Sequence, residues 1–72
     1  MNANELWMAG ENASDRKDFA AAERHYQRAL EVDSQHVPSL IGLSTMQGRR
    51  GAHRDAYAST LAAYALKPTA AP

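Results

Sequence analysis

Asp18-Phe19-Ala20-Ala21-Ala22-Glu23-Arg24-His25-Tyr26-Gln27-Arg28-Ala29-Leu30-Glu31-Val32-Asp33 decides the fold of this chain. Phe19, Ala22, Tyr26, Ala29 and Leu30 recur at spacings of three and four, the stripe of an amphipathic helix. Asp18 stands in front as an N-cap, with a carboxylate acceptor for the first free N–H groups. Ala22 and Ala29 are nearly two turns apart and mark one line along the helix, where small side chains let a paired helix approach closely. His25 falls opposite the Tyr26 stripe and is expected in solvent. The helix stops near Val32-Asp33-Ser34-Gln35.

Working outward, Leu6, Ala9, Gly10 and Ala13 form the stripe of a preceding helix, with Asn4 as its expected N-cap and Ser14-Asp15-Arg16-Lys17 as its end. A third helix is expected from Pro38, whose missing N–H suits a first helical position, with Leu40, Leu43 and Gln47 inward. Gly48 and Gly51 flank Arg49-Arg50 and make a turn. A fourth helix is expected from about Ala52 to Leu66, with Ala56, Thr60, Ala63 and Tyr64 inward, and Pro68 forbids its continuation. No segment alternates with period two, so no strand is expected. Loops of a few residues make each helix antiparallel to the last.

The second half repeats the first at one constant offset: Leu6 as Leu40, Ala9-Gly10 as Leu43-Ser44, Ala22 as Ala56, Ala29 as Ala63. Such a period means two copies of one supersecondary unit, neither able to bury its apolar face alone. Replacing Ala22 or Ala56 by Leu should overpack the helix crossing.

These residues resemble the tetratricopeptide repeat (TPR), a helix–turn–helix unit whose period is the offset between Leu6 and Leu40. In the first copy Leu6, Ala9-Gly10, Ala22, Tyr26 and Ala29 match; in the second Leu40, Leu43-Ser44, Gly51, Ala56, Ala63 and Pro68 match. Ala13 and Gln47 depart from the pattern where an aromatic is usual, as do Thr60 for the second aromatic and Ser34 for Pro. The resemblance implies an all-α fold of two antiparallel helix-turn-helix repeats, residues 3–36 and 37–68, stacked as a short right-handed solenoid, with 69–72 a tail or linker.

The resemblance also implies a non-catalytic protein–protein interaction module, in which the first helix of each pair lines a concave groove for a peptide or partner protein. Carried onto this chain, the groove positions are Asn4, Trp7, Glu11, Ser14, Pro38, Ile41, Thr45 and Arg49. Trp7, the single tryptophan, lies off the apolar stripe. It is a hot-spot candidate, or it packs under the N-terminus or on Pro38 and Ile41. TPR domains that clamp the C-terminal carboxylate of chaperones use Lys and Asn. Trp7, Glu11 and Gly42 occupy the matching positions here, where a Glu repels a carboxylate and a Gly offers no donor, so that mode is not expected.

Composition narrows the alternatives. The 72 residues suffice for one small domain, there is no cysteine, and no stretch approaches a membrane span or carries a secretory signal. A cytoplasmic protein without membrane contact is expected. His25, His36 and His53 stand too far apart along the chain to form a helical ligand pair, so neither a metal nor another cofactor is expected. No phosphate loop and no nucleophile elbow occurs, so no catalytic residue is assigned and no enzyme is expected. Arg49-Arg50…His53-Arg54 lacks interleaved aromatics and reads as a solvated turn, with no nucleic-acid partner expected.

Net charge is zero, but residues 1–36 hold four Lys/Arg against seven Asp/Glu, and residues 37–72 four against one, giving −3 and +3. Such a split suits head-to-tail self-association or a partner of complementary polarity. Tyr57, Leu61 and Tyr64 form a second candidate face on the last helix, which has no following helix to cover it. The expectation is either a fragment of a longer protein or a homodimer through this helix. Asp55–Pro68 is also similar to N-terminal TPR regions of some bacterial sulfotransferases. Under that alternative the chain is the helper region of a larger enzyme whose catalytic domain lies beyond Pro72, and nothing in the present residues binds a sulfonate donor.

Overall fold

Asn2 opens the first helix. Its side-chain oxygen accepts from the Glu5 backbone N–H at 2.8 Å, and the Glu5 carboxylate accepts from the Asn2 backbone N–H at 3.0 Å. This reciprocal capping box satisfies two otherwise free donors and starts the helix ahead of the expected Asn4. Asn4 loses because the residue three beyond it is Trp7, which has no carboxylate to return the bond.

The computed structural model describes residues 1–66, and over these the protein is all-α. Its four helices are α1 (Ala3–Asp15), α2 (Phe19–Val32), α3 (Val37–Arg49) and α4 (His53–Leu66). The expected stop at Pro68 and the tail 69–72 lie outside the described residues. Asp18 caps α2 as expected, its carboxylate accepting from the Ala21 N–H at 3.3 Å. α3 starts one residue before Pro38, which sits in its first turn.

The helix boundaries repeat with the same shift that relates Leu6 to Leu40: Ala3 and Val37, Asp15 and Arg49, Phe19 and His53. The turns repeat too. After α1, the Asp18 N–H donates to Ala13 O and the Lys17 N–H to Ser14 O, both at 2.9 Å. After α3, the Ala52 N–H donates to Gln47 O at 2.9 Å and the Gly51 N–H to Gly48 O at 3.1 Å. Each is a Schellman closure, which requires a left-handed residue just past the helix. Lys17 (φ 63°) and Gly51 (φ 82°) fill that place in the two copies.

α1 packs on α2 and α3 on α4, while α2 also packs on α3 and α1 touches α3. Ala13, Ala21, Ala22, Tyr26, Leu43 and Met46 form the main core, with Trp7, Phe19 and Leu30 at its edge. Ala3, Leu6 and Ala29 form a smaller cluster. Ala22 and Ala29 are fully buried, as their spacing along α2 requires. Tyr26 is sandwiched: a Cβ on Gly10 of α1 would stand 2.5 Å from its ring, and one on Gly42 of α3 2.6 Å. Three expectations need correction. Tyr64 points out, 62% exposed, because α4 turns only Ala63 fully into the core. Ala9 is only partly buried, since α2 covers Leu6, Gly10 and Ala13 ahead of it. His25 is not solvated: it is half-buried, and its Nδ1 is enclosed without a partner.

Candidate functional site

α1 and α3 lie side by side because both pack against α2, and a concavity opens between them. Trp7, Glu11 and Ser14 form one wall, Pro38, Ile41 and Thr45 the other, and Tyr26, Gly42 and Met46 the floor, around about 490 Å³. The three residues of each wall recur every three or four positions and so share one face of their helix. Gly42 makes the floor possible, because any side chain there would collide with the Tyr26 ring.

The Tyr26 hydroxyl donates to Glu11 Oε1 at 2.7 Å, tying α2 to the groove wall. Burial, then the hydrogen bond and the negative charge of Glu11, push the Tyr26 hydroxyl well above the ordinary tyrosine range. It stays neutral and fixes the Glu11 carboxylate beside the groove. Thr45 turns its hydroxyl back to Ile41 O at 3.0 Å, so that hydroxyl proton is already engaged. The site thus offers an apolar trough with a carboxylate at one wall. It suits an apolar side chain accompanied by a cation or an N–H donor.

Of the residues expected to form a groove, Trp7, Glu11, Ser14, Pro38, Ile41 and Thr45 come together. Asn4 and Arg49 do not. The Trp7 ring already faces His36, the residue before α3, with centroids 6.3 Å apart. Asn4, a turn before Trp7, is exposed and does not line the groove. Arg49 swings to the other side of α3 and lies 4.4 Å over the Phe19 ring, a cation–π contact. Tyr26, Gly42 and Met46 were missed. The one signal for Gly42 is a glycine in mid-helix where its counterpart in the first copy is Met8.

The basic cluster is partly engaged. The Arg50 Nε and Nη2 donate to the two Glu23 oxygens at 2.8 and 2.9 Å, and this pairing holds the Glu23 carboxyl below the ordinary range. Its neighbour Arg49 is held over Phe19. Among the described residues no three His, Asp or Glu side chains gather to hold a metal ion, and no helix is long and apolar enough to cross a membrane.

Between α3 and α4 lies a second hollow of about 420 Å³, lined by Ile41, Ser44, Thr60, Ala63 and Tyr64 among others. Ser44 Oγ and Thr60 Oγ1 are 2.6 Å apart, and both reach Ala56 O, at 3.0 and 2.9 Å. Two hydroxyl protons thus serve three contacts. This pair stands where Gly10 and Tyr26 stand in the first copy, and Thr60 leaves open the space that the Tyr26 ring fills. Tyr57 and Leu61 lie exposed along α4, with Tyr64 at the rim of the hollow.

Comparison with family models, with curated proteins and with solved structures gives no match.

Proposed function

We propose that the protein is a non-catalytic protein–protein interaction module of the tetratricopeptide type, two repeats of a short right-handed solenoid whose groove between α1 and α3 receives a peptide. One observation carries this reading. Trp7, Glu11, Pro38, Ile41 and Thr45, drawn from the corresponding helices of the two copies, line a single trough. Half-buried Trp7 anchors the peptide's apolar side chain, with little rotamer freedom left to lose. Glu11, preset by Tyr26, takes a Lys, an Arg or a backbone N–H next to it.

A peptide display library selected on the full chain tests this. Selected sequences should pair an apolar or aromatic residue with a basic neighbour, and Trp7→Ala should weaken their binding about tenfold or more. Peptides rich in acidic residues, or bound equally well by Trp7→Ala, would overturn it.

A further inference from the structure

α3 covers one face of the α1–α2 pair through contacts that can be read residue by residue. Gly42 lies against the Tyr26 ring, and Met46 belongs to the core that Tyr26 and Phe19 share. Arg49 covers Phe19, and Arg50 pairs with Glu23. In the second copy the same face, now of the α3–α4 pair, carries His53, Tyr57, Thr60 and Tyr64 in place of Phe19, Glu23, Tyr26 and Leu30. Among the described residues nothing covers it: Tyr57 and Tyr64 are 68% and 62% exposed, and the second hollow opens between Thr60 and Tyr64.

The reverse shift gives what α1 would present in the place of α3: Met8 for Gly42, Asn12 for Met46, Asp15 for Arg49 and Arg16 for Arg50. Each exchange on one side is matched on the other. Large Tyr26 against Gly42 becomes small Thr60 against Met8, which is 51% exposed within its own chain. Arg49, stacked over Phe19 and lining one hollow with Ala20, becomes Asp15 over His53 and beside Arg54, a carboxylate near basic groups. The Arg50–Glu23 ion pair becomes Arg16 against the Tyr57 ring, a cation–π contact. Apolar Met46 among Phe19 and Tyr26 becomes Asn12 among His53 and Thr60, polar among polar. The −3 and +3 halves favour the same alignment at longer range.

We propose that copies of this chain associate head to tail, α1 of one copy lying on the α3–α4 face of the next as α3 lies on α1–α2 within the chain. The interface is heterologous, so every assembly keeps one face of each kind free at its two ends and grows with concentration. The complementary surfaces are Met8, Asp15 and Arg16 on one side and Arg54, Tyr57 and Thr60 on the other.

Sedimentation velocity of the full chain, from about 5 μM to about 1 mM, tests the proposal. The wild type should show a mean mass that climbs past that of a dimer. Met8→Arg spoils the first surface and Tyr57→Arg the second; both positions are exposed, and both variants should keep the wild-type circular dichroism. Each alone should associate about tenfold more weakly or worse. An equimolar mixture should regain a two-copy complex and stop there, since it holds one intact contact. A wild type monomeric throughout the range would overturn the proposal. So would a mixture of the folded variants that stays monomeric, or a symmetric α4–α4 dimer, in which Met8→Arg associates like the wild type.

Discussion

Tyr26 holds three helices through one side chain, and its neighbours show how narrow the fit is. The Gly10 and Gly42 backbones both stand against its ring, and Glu11 accepts its hydroxyl proton in a hydrogen bond. The ring stays put because α1 and α3 press on it from both sides, so an added Cβ has nowhere to send it. Gly10→Ser should therefore cost about 1–3 kcal/mol in urea unfolding. The second copy supplies the remedy, a Ser–Thr pair at the same two places. In a Tyr26→Thr background Gly10→Ser should cost clearly less than in the wild type, a coupling that a double-mutant cycle measures. Equal cost in both backgrounds would remove the ring clash as the cause. The same tyrosine makes stability depend on pH at the alkaline end. Its hydroxyl is raised in the folded state by burial and by Glu11, so its contribution is complete below the unfolded value of about 10 and is lost as pH rises from there toward the folded value. Thermal melts between about pH 9 and 11 should fall more steeply for the wild type than for Tyr26→Phe. Parallel curves would contradict the assignment.

At the scale of elements, the two copies share their backbone and differ in how comfortably they close. Lys17 accepts a left-handed conformation that costs a side chain about 1–2 kcal/mol, whereas Gly51 takes it freely. Glycine gives back about 0.5–1 kcal/mol through the extra freedom of the unfolded chain. The strain is larger, so Lys17→Gly should raise stability by about 0.5–1 kcal/mol. Gly51→Ala should lower it similarly, since the space around Gly51 is open and only the dihedral resists. For a chain this short each kcal/mol moves the melting temperature by about 4–8 °C, well within calorimetric reach. Changes of the opposite sign would contradict the Schellman closure. This part of the fold was legible in the sequence. Four helices, the Asp18 cap and the turn positions at Lys17 and Gly51 follow from local spacing, and local hydrogen bonds satisfy them. The misreadings fell where a neighbour in space decides. Asn2 wins the α1 cap through Glu5, and His25 is half enclosed although it lies off the apolar stripe. Tyr64 is left outside because, among the described residues, α4 packs on α3 alone.

At the scale of the molecule, the groove was half legible. The resemblance to the tetratricopeptide repeat, not spacing alone, singles out Trp7, Glu11 and Ser14 on one helix and Pro38, Ile41 and Thr45 on another as groove positions. Their meeting depends on α1 and α3 both resting on Tyr26, and spacing along one helix carries no information about that. Arg49 shares the Pro38 spacing, yet Phe19 draws its long side chain to the far side. Spacing places Tyr26 in the core, as the structure does, but gives no sign of its hydroxyl anchoring Glu11, because the two sit on different helices, far apart in sequence. The central claim is that this trough receives the partner, and Trp7 reports on it directly because it is the only tryptophan in the chain. Its fluorescence, followed while a display-selected peptide is added to the full chain, is the decisive measurement. The account predicts a saturable change in emission with the same midpoint as binding measured by calorimetry, shifted to about tenfold higher peptide concentration by Ile41→Glu on the opposite wall. Calorimetric binding with unchanged Trp7 emission would contradict it, because the peptide would then sit elsewhere.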